Sequence, residues 1–173
     1  MIGNLPYYII TPIILKLLEK PNPTRINKAL LMMQKEVGER LVSPPGKKEY
    51  GSITVAVNYW CDAKIVKVVS ADCFYPRPKV DSVIVELSML NEPRVSVKDE
   101  DLFFQIVRVS FQHRRKTLRN ALLLSIYSGK LRISPTSIDT AMKSLGLDPR
   151  IRGETLSIEQ FADMTNIIIK SGI

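Results

Sequence analysis

The sequence predicts an α/β unit over residues 1–92 and a small all-helical domain over residues 93–173. Three observations carry this expectation. A helix, a short buried strand and a second helix follow one another up to Leu41, an order that builds a layered and largely parallel sheet. A second strand pattern covers 80–89 and sets Val83, Val85 and Leu87 on one face. Past Asn91-Glu92-Pro93 the apolar spacing becomes helical.

The elements follow in order. Thr11 is placed to cap a helix with Pro12 in its first turn, and Ile13, Ile14, Leu17 and Leu18 form its apolar face. Pro21 and Pro23 end it. Ala29-Leu30-Leu31-Met32-Met33 reads as a buried strand, and residues 34–41 as the charged helix after it. Ser43-Pro44-Pro45-Gly46-Lys47-Lys48 reads as a mobile, exposed loop. Residues 52–60 fit two states: their β-branched content favours a strand, while Ser52 as a cap and the Val55–Tyr59 spacing allow a helix. Residues 64–70 alternate as a strand does. Prolines in Phe74-Tyr75-Pro76-Arg77-Pro78 restrict the link to the 80–89 strand and would hold the Phe74 ring at a site edge. Residues 99–128 form a long helical stretch with room for a break. Residues 135–145 and 157–170 read as two more helices, Ser157 with Gln160 fitting a capping box.

A chain of 173 residues with 45% hydrophobic content can bury one sizeable core and a smaller second one. Its net charge of +8 favours a polyanionic partner, nucleic acid or an acidic membrane, and selects neither. Cys61, Cys73 and the single histidine, His113, do not make a zinc set. Free thiols point to a reducing, cytoplasmic setting. No apolar run reaches membrane-spanning length, and no secretion signal is evident. No metal and no membrane partner are therefore expected.

The basic charge concentrates between Leu102 and Ile138, which hold seven Lys or Arg residues and no Asp or Glu. On one continuous helix Phe104, Val107, Phe111, Leu118 and Leu122 would share an apolar side. Arg108, Arg115 and Arg119 would form a charged side next to it, with His113, Arg114 and Lys116 around the rest. Arginine forks on such a face suit phosphates. The alternative is a solvated face with local ion pairs, which the lack of nearby acids argues against.

The chemistry-bearing cluster is Asn4-Leu5-Pro6-Tyr7-Tyr8. An adenine N6 amine is a poor nucleophile because its lone pair is delocalised into the ring. The Asn4 side-chain oxygen and the Pro6 backbone carbonyl supply two acceptors that would orient this amine towards an electrophilic methyl. Tyr7 would stack on the base, with Phe74 as the opposite platform, each stack worth roughly 1–3 kcal/mol. The base would leave its own stack to enter. Read from residue chemistry alone, the same cluster also fits a turn followed by ordinary core aromatics.

The chain resembles the ribosomal RNA small-subunit adenine N6-dimethyltransferase family. Asn4-Leu5-Pro6-Tyr7 resembles its target-base motif. Gln34-Lys35-Glu36-Val37 with Glu39-Arg40-Leu41, then Tyr50-Gly51-Ser52, resemble its central signature. Two further matches are Phe74-Tyr75-Pro76-Arg77-Pro78-Lys79-Val80-Asp81-Ser82 and, in the helical domain, Phe111 with Arg114-Arg115-Lys116-Thr117-Leu118-Arg119-Asn120. The resemblance spans nearly the whole chain. It implies the second half of a Rossmann-like methyltransferase sheet followed by a small all-helical domain, with residues 52–60 helical. It also implies S-adenosylmethionine-dependent dimethylation of two adjacent adenines. The partner would be small-subunit ribosomal RNA or an immature small ribosomal subunit. Asn4, Pro6, Tyr7 and Phe74 would hold the base, Asn4 would also touch the cofactor edge, and Arg108, Arg114, Arg115, Lys116 and Arg119 would contact RNA.

The family's Gly-rich cofactor loop and acidic ribose- and adenine-side residues precede the target-base motif, and none stands before Asn4. The resulting expectation is a truncated or proteolysed piece of a methyltransferase, with little cofactor binding or transfer of its own. Self-association through the first strand's exposed edge would follow. Two other classes compete with the enzyme assignment: a non-catalytic RNA-binding or ribosome-assembly module, and a DNA-binding transcription accessory.

Overall fold

The computed structural model describes residues 1–4, 9–18 and 26–172. Within them the element order is β1 (Ile2–Asn4), α1 (Ile10–Leu18), β2 (Lys28–Gln34), α2 (Lys35–Val42), α3 (Ser52–Trp60), β3 (Cys61–Val69) and β4 (Ser82–Met89). It continues with α4 (Glu100–Gln112), α5 (Leu118–Tyr127), α6 (Pro135–Ser144) and α7 (Ile158–Lys170). Two compact units divide the chain. One comprises the described parts of Met1–Pro44 and Lys48–Arg94; the other comprises Pro45–Lys47 and the chain from Val95 onward.

In the first unit the strands are ordered β1-β2-β4-β3. β1 runs parallel to β2, whereas β4 runs antiparallel to both β2 and β3. The expected largely parallel sheet is thus corrected to a mixed one. The cause is the connection: α2 and α3 carry the chain back across the sheet between β2 and β3, so those two strands run the same way. Residues 70–81 have no such crossover, and β4 must return in the opposite direction between them.

Alternation fixes the core face. Ala29, Leu31 and Met33 of β2 and Val83, Val85 and Leu87 of β4 are fully buried, as period-2 side chains on a covered face should be. α2 closes on this face through Gly38, where an added Cβ would stand 2.3 Å from Cγ2 of Val83. α3 is helical despite its β-branched residues. Thr54 Oγ1 donates to the Arg40 carbonyl at 2.6 Å and accepts the Gly51 N–H at 3.0 Å, tying the first turn to the end of α2. α1 packs along α3 and buries Ile10, Ile14, Leu17 and Leu18. Thr11 lies inside this helix and is exposed, so the predicted Thr11 cap is corrected. On the open side of the sheet Glu86 sits between Lys64 at 3.0 Å and Lys28 at 3.4 Å.

The second unit is helical, and each of its main helices begins at a side-chain cap. Asp99 accepts from the Leu102 N–H at 2.9 Å, Thr117 caps α5 and Ser134 caps α6, with Pro135 in its first turn. Ser157 and Gln160 form the predicted reciprocal box on α7. The 99–128 stretch breaks at 113–117, where His113 leaves helical geometry and its carbonyl accepts the Lys116 N–H at 2.8 Å. Phe104, Val107 and Phe111 therefore belong to α4, and Leu118 and Leu122 to α5, rather than to one helix side. The 43–48 loop is exposed beyond Ser43, but it is pinned: the Gly46 N–H donates to the Glu154 carbonyl at 2.8 Å. Gly46 has φ +82°, a conformation that suits glycine.

Candidate target-base site and nucleic-acid interface

Three strands deliver the site to one edge of the sheet. Asn4 is the last residue of β1 and is exposed, opposite Met32 of the parallel strand β2. β2 ends at Gln34 and β3 at Val69, and both register with Ser82 at the start of β4. The carboxyl ends of β1, β2 and β3 thus share the edge on which open α/β sheets bind ligands.

The loop 70–81 leaves β3 and re-enters at β4 on this same edge. Its base is closed by Asp81, whose Oδ1 accepts the Ala71 N–H at 3.0 Å and whose carbonyl accepts the Lys35 N–H at 3.0 Å. Ser70 Oγ accepts the Asp72 N–H at 3.2 Å, and Asp72 pairs with Arg77 at 3.1 Å. Phe74 follows this turn, half-buried, while Tyr75 is fully exposed beside a cis Pro76. The fold therefore brings Asn4 and the Phe74 loop to one edge. Pro6 and Tyr7 lie outside the described residues. A cavity of about 680 Å³ opens beside the loop, lined by Lys35, Glu36 and Glu39 of α2 and by Ala71 and residues 77–81. Sequence reasoning missed it, although Arg77 and Lys79 stand in the quoted Phe74 motif.

The basic cluster is organised by the break rather than by one helix face. Arg108 is exposed on α4, Arg114, Arg115 and Lys116 lie in the turn, and Arg119 is on α5. The continuous Arg108–Arg115–Arg119 stripe is corrected accordingly. The turn forms a cavity of about 600 Å³ lined by Phe111, Gln112, His113, Arg114, Arg115 and Lys116. Acids distant in sequence occupy two of the five predicted cations. Arg119 makes a two-pronged contact with Asp139, at 2.6 and 2.9 Å. Arg114 donates to Glu154 at 2.8 Å. The Arg119 hydrogen bond holds the Asp139 carboxyl below the usual carboxylate range. Arg115 and Lys116 are exposed on the cavity rim.

A family model described as ribosomal RNA adenine dimethylase matches residues 1–170. The chain belongs to that family. It is 48% identical over 168 residues to ribosomal RNA small subunit methyltransferase A of Clostridium botulinum (strain Loch Maree / Type A3), covering 97% of this chain and 58% of the relative. The corresponding protein of Geobacillus thermodenitrificans (strain NG80-2) is 46% identical over 169 residues, covering 98% and 56%. The chain thus spans little more than half the length of these relatives. Among solved structures, a dimethyladenosine transferase from Plasmodium falciparum superposes with a TM-score of 0.78 at 26% identity, covering 99% of this chain and 67% of that one. The 23S rRNA methyltransferase ErmE superposes with a TM-score of 0.67 at 22% identity, a likeness of fold. The sheet unit is Rossmann-like, as these neighbours are.

The cofactor that the resemblance implies is S-adenosylmethionine, and the described residues fit only the rim of a site for it. Asn4 presents an exposed amide at the carboxyl end of a parallel strand, a position suited to a polar ligand. Among the described residues no cluster of His, Cys, Asp and Glu could hold a metal ion. No described helix is long and apolar enough to cross a membrane.

Proposed function

We propose that this chain is the target-base and RNA-docking portion of an S-adenosylmethionine-dependent methyltransferase that dimethylates N6 of two adjacent adenines in small-subunit ribosomal RNA. The observation that supports this reading is the shared carboxyl edge: Asn4 ends β1 on the same side of the sheet from which the Phe74 loop leaves β3, with β2 and β4 between them, and that loop closes on Asp81. The family match supports the chemistry.

The chain's residues position the base and do not themselves react. Asn4 Oδ1 and the Pro6 carbonyl accept the two N6 hydrogens, which aims the nitrogen lone pair. Tyr7 and Phe74 hold the purine from its two faces. The cofactor, when bound, supplies the electrophilic methyl. RNA docks through the turn between α4 and α5, with Arg115 and Lys116 on phosphates and Arg108 as a further contact. Arg114 and Arg119 contribute less, because Glu154 and Asp139 already hold them.

The described residues offer only the Asn4 rim of a cofactor site, so we expect little cofactor binding or transfer by this polypeptide alone. In this structure β1 is an edge strand, which favours self-association of the isolated polypeptide. The test of the reading uses the full-length protein that carries this chain. It is incubated with unmethylated small-subunit rRNA and labelled cofactor, and the product nucleosides are identified. N6,N6-dimethyladenine at two neighbouring positions is expected. RNA binding without label transfer would instead favour an assembly module, and equal affinity for DNA at matched salt would favour a DNA-binding accessory.

A further inference from the structure

The cavity of about 680 Å³ beside the Phe74 loop counts neither Asn4 nor Phe74 among its described lining residues. Its volume falls within the range of about 300–1,000 Å³ that holds small ligands. Cations stand on it from two elements: Lys35 at the start of α2, and Arg77 and Lys79 on the loop. Carboxylates of Glu36 and Glu39 stand on the α2 side, Glu39 at 4.0 Å from Lys35, and Asp81 adds a third at the foot of the loop. The loop that carries Arg77 and Lys79 is fixed at its base by the Asp81–Ala71 and Asp81–Lys35 hydrogen bonds. It leaves the same sheet edge that ends in Asn4.

We propose that this cavity seats the nucleotide adjoining the target adenine on the RNA strand, with its phosphate on Arg77 and Lys79. The proposal rests on the function proposed above and names a further positioning site for that reaction. The charge pattern is what selects a nucleotide. Lys35 is already paired with Glu39, so Arg77 and Lys79 are left for one phosphate; the carboxylates of Glu36, Glu39 and Asp81 on the same lining repel a second, and those of Glu36 and Glu39 accept hydrogen bonds from ribose hydroxyls or an exocyclic amine. One phosphate and one nucleoside satisfy both sides. The Arg77–Asp72 pair does not block this, because its side chains are 70% and 69% exposed. Such a pair is worth little and exchanges readily for a phosphate. A seat beside the base pocket also suits a substrate with two adjacent adenines, since one is held while its neighbour is methylated.

The test is a coupling experiment on the full-length methyltransferase with short RNA strands. The phosphate on either side of the target adenine is replaced in turn by an uncharged methylphosphonate. For the unaltered protein one replacement should cost about tenfold in affinity, the scale of a charge-assisted contact. In the Arg77→Ala/Lys79→Ala variant the unmodified RNA should bind about tenfold more weakly, and the same replacement should cost nothing further. The Arg77→Lys/Lys79→Arg variant keeps both charges and should restore sensitivity to the replacement, which separates lost contact from lost folding. If the two losses multiply, or if neither change affects binding, the proposal is overturned. A target nucleoside lacking the 6-amine tells the two readings apart. If the unaltered protein still prefers adenine while the coupling is absent, only the neighbouring-nucleotide site fails. If that preference is also missing, the proposed function fails with it.

Discussion

Replacing cations around the α4–α5 turn should affect RNA affinity unequally, and the inequality follows from their partners. Arg115 and Lys116 are exposed on the rim of the cavity, whereas Arg119 is clasped by both oxygens of Asp139. A cation that meets a phosphate releases a counterion, so each such contact adds about 0.7–0.9 to the slope of log affinity against log salt. Arg115→Ala with Lys116→Ala should therefore flatten the slope by roughly 1.4–1.8. Over a fourfold rise in salt, this makes the unaltered protein lose roughly tenfold more affinity than the double variant. Arg119→Ala removes a side chain whose charge Asp139 already balances, and the slope should stay nearly unchanged. Asp139→Asn should do the opposite and steepen the slope by up to about 0.7–0.9, because it frees Arg119 for a phosphate. The exposed Arg119–Asp139 pair adds at most about 1 kcal/mol to stability, so both variants should fold. Fluorescence anisotropy with a labelled small-subunit rRNA fragment, across a salt series, reads all three. An Arg119→Ala slope as flat as that of the double variant would refute the reasoning, as would an unchanged slope in the double variant.

Three further outcomes test the packing and the charges. Gly38→Ala should destabilise the sheet unit by about 1–3 kcal/mol through overpacking, because the new Cβ would lie 2.3 Å from Val83 Cγ2 and 3.0 Å from Val85 Cγ2; an unchanged urea midpoint would contradict the α2 packing. Burial, with a smaller push from Asp62 against the pull of Arg94, raises the Cys61 thiol to about 12, whereas Cys73 is exposed. Iodoacetamide at mildly alkaline pH should then label Cys73 and leave Cys61 unmodified until the protein unfolds, which peptide mass mapping would show. Hydrogen bonding from Lys64 holds the Glu86 carboxyl below the usual range; burial opposes it, and Lys28 adds a smaller downward pull. A carboxyl depressed on folding stabilises above its unfolded value and loses that effect as pH falls through its folded value. The stability gap between the unaltered protein and Glu86→Gln should therefore be present at neutral pH and close on acidification below about pH 4; a gap independent of pH would count against the Lys28–Glu86–Lys64 arrangement.

The parts of the fold that the sequence discloses are those set by local pattern. β2 is legible as a short apolar run and β4 as an alternation, and the covered face of each appears directly as Ala29, Leu31, Met33 and Val83, Val85, Leu87. The α7 box is legible because both of its hydrogen bonds join residues three apart. What stays hidden depends on distance along the chain. Local propensity leaves α3 open between helix and strand, and the Thr54–Arg40 hydrogen bond that ties its first turn spans 14 residues. The direction of β4 is set by a crossover that residues 70–81 lack, and no residue in them announces it. The break after Gln112 has no proline or glycine to mark it; only Thr117, capping Asn120, betrays a new helix.

The same limit applies to the site. Asn4 and Phe74 can be read as chemistry, but the strand order brings them to one edge. The Arg119 and Arg114 charges look unopposed in sequence because Asp139 and Glu154 lie 20 and 40 residues away.

The most direct measurement is single-turnover methyl transfer by the full-length protein carrying Asn4→Ala, read beside its equilibrium affinity for unmethylated rRNA. If Asn4 aims the adenine amine from the sheet edge, the chemical step should slow by on the order of 100-fold while RNA affinity stays within about twofold. Transfer at the unaltered rate, or a loss of RNA affinity that accounts for the whole defect, would contradict the account.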